Sequence, residues 1–354
     1  MKNRIHHAID VQSLLVFIGL AMLFSTNLLT AQDSTQVSIF DEMSYAEVLD
    51  LTIKTEVDSL INFRRSERAY PSSVSFVNQD GERQTFKTKI QIRGTFRRAR
   101  CIGIPPVKIN FKKKALTKAG YSKFDDYKLV TYCVEDDRNA KALLLKEYLA
   151  YKFYNRITDQ SYRVQLLKIL FEDQQSGEKT QQWGFLIEDT ALMRNRLGVK
   201  KVAETRNVSF EKFQLAQIRR VALFQYMIGN SDWDLSISRN VKFVSKDGQY
   251  LAIPYDFDFS GLVDAPYASG NPNYNLRNVR DRVYLGFPEP DELLVATVEE
   301  LVGKQVDLIE EIRNFEYLSR DAQRDIMDYL EDYFSEPYSI NRPKKRNQRL
   351  KIGE

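Results

Sequence analysis

The alternation of apolar and polar positions divides the chain into a strand-rich first half and a helix-rich second half. Val48 to Ile53 reads as an edge strand and Glu56 to Arg65 as a short helix. Ser73 to Val77, the turn Asn78-Gln79-Asp80-Gly81 and Thr85 to Arg93 predict a hairpin. In its second strand Phe86, Thr88, Ile90 and Ile92 share one face, opposite Lys87, Lys89, Gln91 and Arg93. Pro105-Pro106 breaks the chain before a strand over Val107 to Phe111, and Lys112 to Lys114 reads as a solvated turn. Tyr127 to Cys133 is one more strand. From Asn139 to Ile157, Leu143, Leu144, Glu147, Tyr148, Tyr151 and Tyr154 recur near helical spacing. Arg163 to Glu172 and Gln182 to Glu188 flank the turn Gln175-Ser176-Gly177, and residues 190 to 208 read as polar and irregular.

The second half opens on Phe210 to Ile228, a helix apolar on most sides and therefore expected in the core. Val241 to Val244 and Tyr250 to Tyr255 flank Lys246-Asp247-Gly248, a strong hairpin signal. A long loop rich in Pro, Asn, Gly and Tyr follows from Gly261 to about Gly286, and helices resume from Asp291 to Phe334. Strands and helices segregated in this way predict an α+β protein of two lobes. The expected division is a β-rich unit with one long helix over 32–189, a helical unit with an embedded hairpin over 190–340, and a basic tail over 341–354.

Residues 1–31 read as a secretory signal: Lys2 and Arg4 begin it, Leu14 to Leu29 is apolar, and Leu29-Thr30-Ala31 ends on a small residue. An uncleaved anchor is the alternative, which the apolar run is barely long enough to form. No later segment approaches a transmembrane span, so an exported chain without a stable membrane span is expected. Export gives meaning to Cys101 and Cys133, whose even number permits one disulfide in an oxidising compartment; two buried thiols are the other reading. The formal charge of +4, from 52 basic and 48 acidic residues, is too mild to argue for a nucleic-acid partner. His6 and His7 lie in the leader, so the exported chain has no histidine, which excludes histidine-based acid–base catalysis and triads.

The densest chemistry lies between Gly229 and Gly261. Asp232, Asp234, Asp256 and Asp258 fall there, with Asn230 and Asn240. The hairpin brings its outer ends together, so Asn240 and Asp256 are expected close in space, forming an oxygen-rich cation site suited to Mg²⁺ or Mn²⁺ with a phosphate. The plainer reading of Asp256 and Asp258 is a pair capping a turn. Asp232 reads equally well as an ordinary loop residue.

The order of a buried helix, an Asp-bearing loop, an Asn, a hairpin and a second Asp resembles the protein-kinase fold. More narrowly, the chain resembles the atypical kinases of the spore-coat CotH family and their exported bacterial relatives. The matching pieces are KTKIQIRGTFRR (87–98), PPVKINF (105–111), KLVTYC (128–133), GFLIED (184–189), GNSDW (229–233) and IPYDFDFSGLV (253–263). The resemblance spans roughly 85–285 and implies a kinase-like fold that uses ATP, a divalent cation and a protein Ser/Thr acceptor. By matching motif, Asp232 orients and deprotonates the acceptor hydroxyl, with Asp234 in competition because the loop to Asn240 is long. Asn240 and Asp256 hold the metal, with Asp258 as second ligand or support. Lys108 is the candidate phosphate lysine, Glu147 its partner, and Arg93 a further phosphate contact. For Lys108 a solvent-facing strand lysine is the commoner reading, for Glu147 a surface residue, and for Arg97, Arg98 and Arg100 a solvated face. The chain lacks a GxGxxG loop. Two rival functions stand beside the kinase: a pseudokinase or structural envelope protein, and a cation-dependent transferase or hydrolase acting on another phosphorylated substrate.

Overall fold

The computed structural model describes residues 36–94, 103–132, 137–290 and 292–342. Cys101 and Cys133, the leader, the basic tail from residue 343 and the Arg97, Arg98, Arg100 patch lie outside them.

Seven strands form the first half: β1 (Val48–Thr55), β2 (Ala69–Val77), β3 (Arg83–Ile92), β4 (Val107–Phe111), β5 (Asp126–Thr131), β6 (Val164–Asp173) and β7 (Lys179–Ile187). They close into a barrel in the order β1-β2-β3-β4-β5-β7-β6. The seam is parallel, with Val48 to Thr55 running alongside Leu166 to Asp173. This corrects the edge-strand reading of Val48 to Ile53: the strand has a neighbour on both sides, β2 antiparallel and β6 parallel. It also departs from the expected kinase-like lobe, because closure removes the open edge. Closure is a long-range event that alternation within one strand does not encode.

The short α1 (Ile39–Met43) precedes the barrel and α2 (Val57–Asn62) follows β1. Lys112 to Lys114 do not form a simple turn, since α3 (Lys113–Lys118) starts there, with its lysines exposed and Leu116 buried. The alternate residues Phe86, Thr88, Ile90 and Ile92 are buried as their period of two requires. Strands β5, β6 and β7 are apolar on two faces. Leu129, Leu167, Ile169 and Leu186 fill the barrel, while Val130, Leu166, Phe185 and Ile187 face the long helix α4 (Asp137–Ile157). Strands buried on both faces read as near-continuous apolar runs, which is the pattern of KLVTYC and GFLIED.

After the barrel the chain is mainly helical. Residues 190–208 are more regular than the sequence pattern suggested. Asp189 caps α5 (Thr190–Leu197) through Leu192 N–H at 3.2 Å and Ala191 N–H, and Gly198 ends it in the left-handed conformation. β8 (Lys200–Lys201) then adds a third strand beside the hairpin of β9 (Val241–Lys246) and β10 (Gln249–Pro254). The helix expected from Phe210 begins later. Phe210–Lys212 is one 3₁₀ turn and α6 runs from Leu215 to Met227, buried over most of its surface. Its polar exceptions have partners: the Gln217 amide brackets Ala252, donating to the carbonyl at 2.6 Å and accepting the N–H at 3.0 Å. The loop after Gly261 contains only the 3₁₀ turn Pro272–Tyr274, yet Val279, Val283 and Tyr284 are buried. Three helices complete the chain, α7 (Glu292–Val302), α8 (Gln305–Asn314) and α9 (Arg320–Ser335). Among the described residues no helix is long and apolar enough to cross a membrane.

Candidate metal and phosphate site

The stretch from Gly229 to Gly261 closes on itself. Gly261 N–H donates to the Gly229 carbonyl and Leu262 N–H to Ile228, each at 3.0 Å. Both glycines are demanded by Tyr329, whose hydroxyl stands where a side chain at either position would begin, and Gly229 has φ +63°. Inside the closure Asn230 is buried and shapes the loop. Its amide donates to the Gln225 side chain at 2.9 Å, and its oxygen accepts Asp232 N–H at 2.9 Å.

The loop then separates the two competing aspartates. Asp234 directs its carboxylate to its own turn, accepting from Ser236 N–H at 2.7 Å and Ser236 hydroxyl at 2.6 Å. Asp232 instead faces the hairpin: Asn240 donates to its carboxylate at 3.0 Å and to its carbonyl at 2.6 Å. That use of the Asn240 nitrogen leaves its amide oxygen as the ligand atom it can offer. Burial pushes the Asp232 carboxyl up, Arg239 and Asn240 pull it down, and the charges of Asp256 and Asp258 push it up again. The Arg239 guanidinium stands 3.6 Å from it on the solvent side.

The hairpin register brings Asn240 opposite Tyr255, the residue before Asp256. Pro254 pairs with Val241, and Tyr255 N–H donates to the Asn240 carbonyl at 3.0 Å. Both Asn240 (φ +52°) and Asp256 (φ +66°) adopt the left-handed conformation, uncommon for residues other than glycine. Asp256 N–H leaves the ladder and donates to the Tyr151 hydroxyl at 2.8 Å. Asp258 is buried and accepts from the Tyr267 hydroxyl at 3.2 Å.

The partner of these two aspartates is Glu147. One carboxylate oxygen each from Glu147, Asp256 and Asp258 lie within 4.8 Å of one another, and Glu147 is only 2% exposed. The expected partner of Glu147 was Lys108; the structure brings it from α4 to the Asp-x-Asp instead. Lys108 forms its ion pair with Asp126 at 3.3 Å, both side chains being well exposed, which is the plain strand-lysine reading.

The lysine at this site is one that the sequence motifs did not single out. Lys128 is the cross-strand neighbour of Lys108 in the β4–β5 pairing. Its ammonium lies over the Tyr255 ring at 4.4 Å and the Tyr162 ring at 5.7 Å. Burial first, and then the charge of Arg93, bring its pKa down to about 8 against the opposing charge of Asp256. Arg93 also acts on Tyr151 and Tyr255, so it belongs to the same neighbourhood. The signal for Lys128 was present: it is the polar position between apolar Tyr127 and Leu129 in a strand that otherwise reads as buried.

The donor set suits a hard cation. Three carboxylates this close, two of them buried, repel one another unless protonated or neutralised by a cation. All-oxygen ligation is what Mg²⁺ and Mn²⁺ prefer.

No family model matches the chain, and no curated protein does. Among solved structures it is similar to a Helicobacter pylori proinflammatory kinase, CtkA, at 10% identity and a TM-score of 0.37, over 64% of this chain and 87% of that one. A likeness of that size establishes neither the activity nor the site of this chain.

Proposed function

We propose that the chain is an exported, divalent-cation-dependent phosphotransferase of the CotH-like kinase kind, moving a phosphoryl group from ATP to a protein Ser or Thr hydroxyl. The observation that carries this reading is the convergence of Glu147, Asp256 and Asp258 within 4.8 Å beside the Asp232–Asn240 pair. Glu147, Asp256 and Asp258, with the Asn240 oxygen, would hold Mg²⁺ or Mn²⁺. The cation supplies charge neutralisation on the nucleotide phosphates, which phosphoryl transfer needs more than covalent help. Lys128 and Arg93 provide positive charge on the barrel side of the site. Asp232 would accept the proton of the acceptor hydroxyl as its oxygen bonds to phosphorus and the bond to the leaving diphosphate breaks. A carboxyl raised by burial is better matched to that task than one at its ordinary value.

A second reading, a relative that binds without turnover, is favoured by one feature. Asp232 is engaged by both Asn240 and Arg239, and both contacts lower its basicity. Thermal unfolding of the purified chain with Mn²⁺ or Mg²⁺, with and without ATP, tests the site. Binding at a hundredfold excess over the dissociation constant stabilises by about 2.7 kcal/mol. The expected outcome is a cation-dependent shift with ATP that Asp256→Ala abolishes while the ligand-free melting curve stays cooperative. Radiolabel transfer from γ-labelled ATP to a mixed protein acceptor then separates turnover from binding. No shift at millimolar nucleotide would discard the phosphotransferase reading.

A further inference from the structure

The two aspartates and Glu147 come from different elements, and one side chain couples them. Glu147 and Tyr151 are four residues apart on α4, so they occupy one face of the helix. The Tyr151 hydroxyl accepts Asp256 N–H at 2.8 Å, at the point where the chain leaves the β10 ladder in a left-handed turn. A non-glycine residue persists in that conformation only where its surroundings over-determine it. Tyr151 is 2% exposed, and its ring packs edge-on against Phe257 at 4.6 Å and tilted against Phe185 at 5.6 Å. These contacts hold the phenol against the residue between the two aspartates. Burial, and after it the charges of Glu147 and Asp256, keep the phenol protonated far above its ordinary range.

We propose that Tyr151 is the positioning residue of the cation site: its hydroxyl fixes the Asp256 backbone relative to Glu147, so one helix supplies both a ligand and the register of the opposing ligand. The proposal rests on the cation reading of Glu147, Asp256 and Asp258. Tyr151 is not one of the proposed ligands; it would act through Asp256, as hydrogen-bonded supports of metal ligands generally do.

The test is Mn²⁺ affinity, measured by electron paramagnetic resonance on the full chain, beside urea unfolding of the metal-free protein. Four proteins are compared: wild type, Tyr151→Phe, Phe171→Leu and Glu147→Gln. Tyr151→Phe keeps the ring and removes only the hydroxyl, and is expected to weaken Mn²⁺ binding about tenfold or more, the effect typical of lost supporting bonds. Phe171→Leu, in the barrel interior, is expected to lower the urea midpoint and leave Mn²⁺ affinity within about twofold, since truncated core contacts act on stability. Glu147→Gln is expected to remove tight binding. Wild-type affinity in Tyr151→Phe, while Glu147→Gln loses binding, overturns the role of Tyr151 and leaves the cation site standing. Equal weakening by Phe171→Leu also overturns it, because the loss then follows stability rather than the hydroxyl. Absence of Mn²⁺ binding in wild type removes the cation reading and this inference together.

Discussion

The barrel and the Gly229–Gly261 stretch are built to opposite rules. The barrel is regular: its core is a single set of inward residues, and among the described residues no non-glycine residue within it has a positive φ. The positive-φ non-glycine residues among those described, Asn207, Ser238, Asn240, Asp247, Asp256, Asp264 and Asn275, lie in the second half, and Asn240 and Asp256 sit at the carboxylate cluster. Buried charge is distributed the same way in kind but not in purpose. At the foot of the barrel Glu188 is fully neutralised by Arg163 at 2.7 Å and Arg196 at 2.8 Å. At the site like charges are gathered instead. Pairing with a cationic side chain is what stabilises a buried carboxylate, whereas carboxylates gathered together suit the binding of a hard cation. The helix α4 joins the two regions, because one face packs on Phe185 of the barrel and also carries Glu147 and Tyr151.

That contrast predicts a separation of effects. Phe171→Ala, in the fully buried barrel interior, should cost about 3–5 kcal/mol of stability in chemical denaturation. Nucleotide and cation affinity of the fraction that stays folded should be unchanged; a loss of affinity there would make the barrel part of the site. Next in size is the lysine pair. Lys128→Met should weaken ATP binding about tenfold or more, the scale of a lost charge-assisted contact of about 1.5–3 kcal/mol. Lys108→Met, which breaks only an exposed pair with Asp126, should change neither affinity nor stability by more than about 1 kcal/mol. Calorimetric titration of both variants decides which lysine faces the phosphates, and the reverse ranking would restore Lys108.

A smaller effect sharpens the barrel side. Asp173 accepts N–H groups from Val57 at 2.7 Å and from Gln175 and Ser176 at 2.8 Å, tying the start of α2 to the β6–β7 turn. Backbone hydrogen bonds, Ser176 first, hold its carboxyl down to about 2 from the ordinary 3.8. A depressed acid stabilises the fold above its unfolded value, and the contribution is lost as pH falls through its folded one. Asp173→Ala should therefore cost about 1–3 kcal/mol near neutrality, the cost of leaving buried donors unpaired. The gap to wild type should close between about pH 4 and pH 2. A gap that persists at pH 2 would assign the effect to packing rather than to the charge.

Much of the fold was legible in local patterns alone. The hairpin of Ser73 to Arg93 and the helix ending at Ile157 follow from period-two and helical spacing, and both are found. The misread segments are instructive. Residues 190–208 looked irregular because α5 has a weak apolar stripe, although Asp189 and Gly198 marked its two ends. Val48 to Ile53 looked like an edge because nothing in eight residues reports a parallel neighbour more than a hundred positions away. At the site, the approach of Asn240 to the end of β10 was legible, since a two-strand hairpin fixes it locally and Tyr255 N–H meets the Asn240 carbonyl. The placing of Glu147 beside Asp256 and Asp258, and of Lys128 over Tyr255, was not legible, because each is brought in by an element distant in sequence.

The sequence by itself determined the α+β order, the hairpin that carries Asn240 and Asp256, and a core helix leading into the Asp-bearing loop. These depend on patterns a few residues long, and backbone geometry enforces them locally. Only the tertiary structure decided that the first sheet closes, that Lys128 rather than Lys108 lies over Tyr255, and that Glu147 meets Asp256 and Asp258. Closure and the packing of α4 on the barrel set which side chains converge. Such contacts arise from burying large surfaces together, and no local spacing records which of several equivalent residues the burial will select.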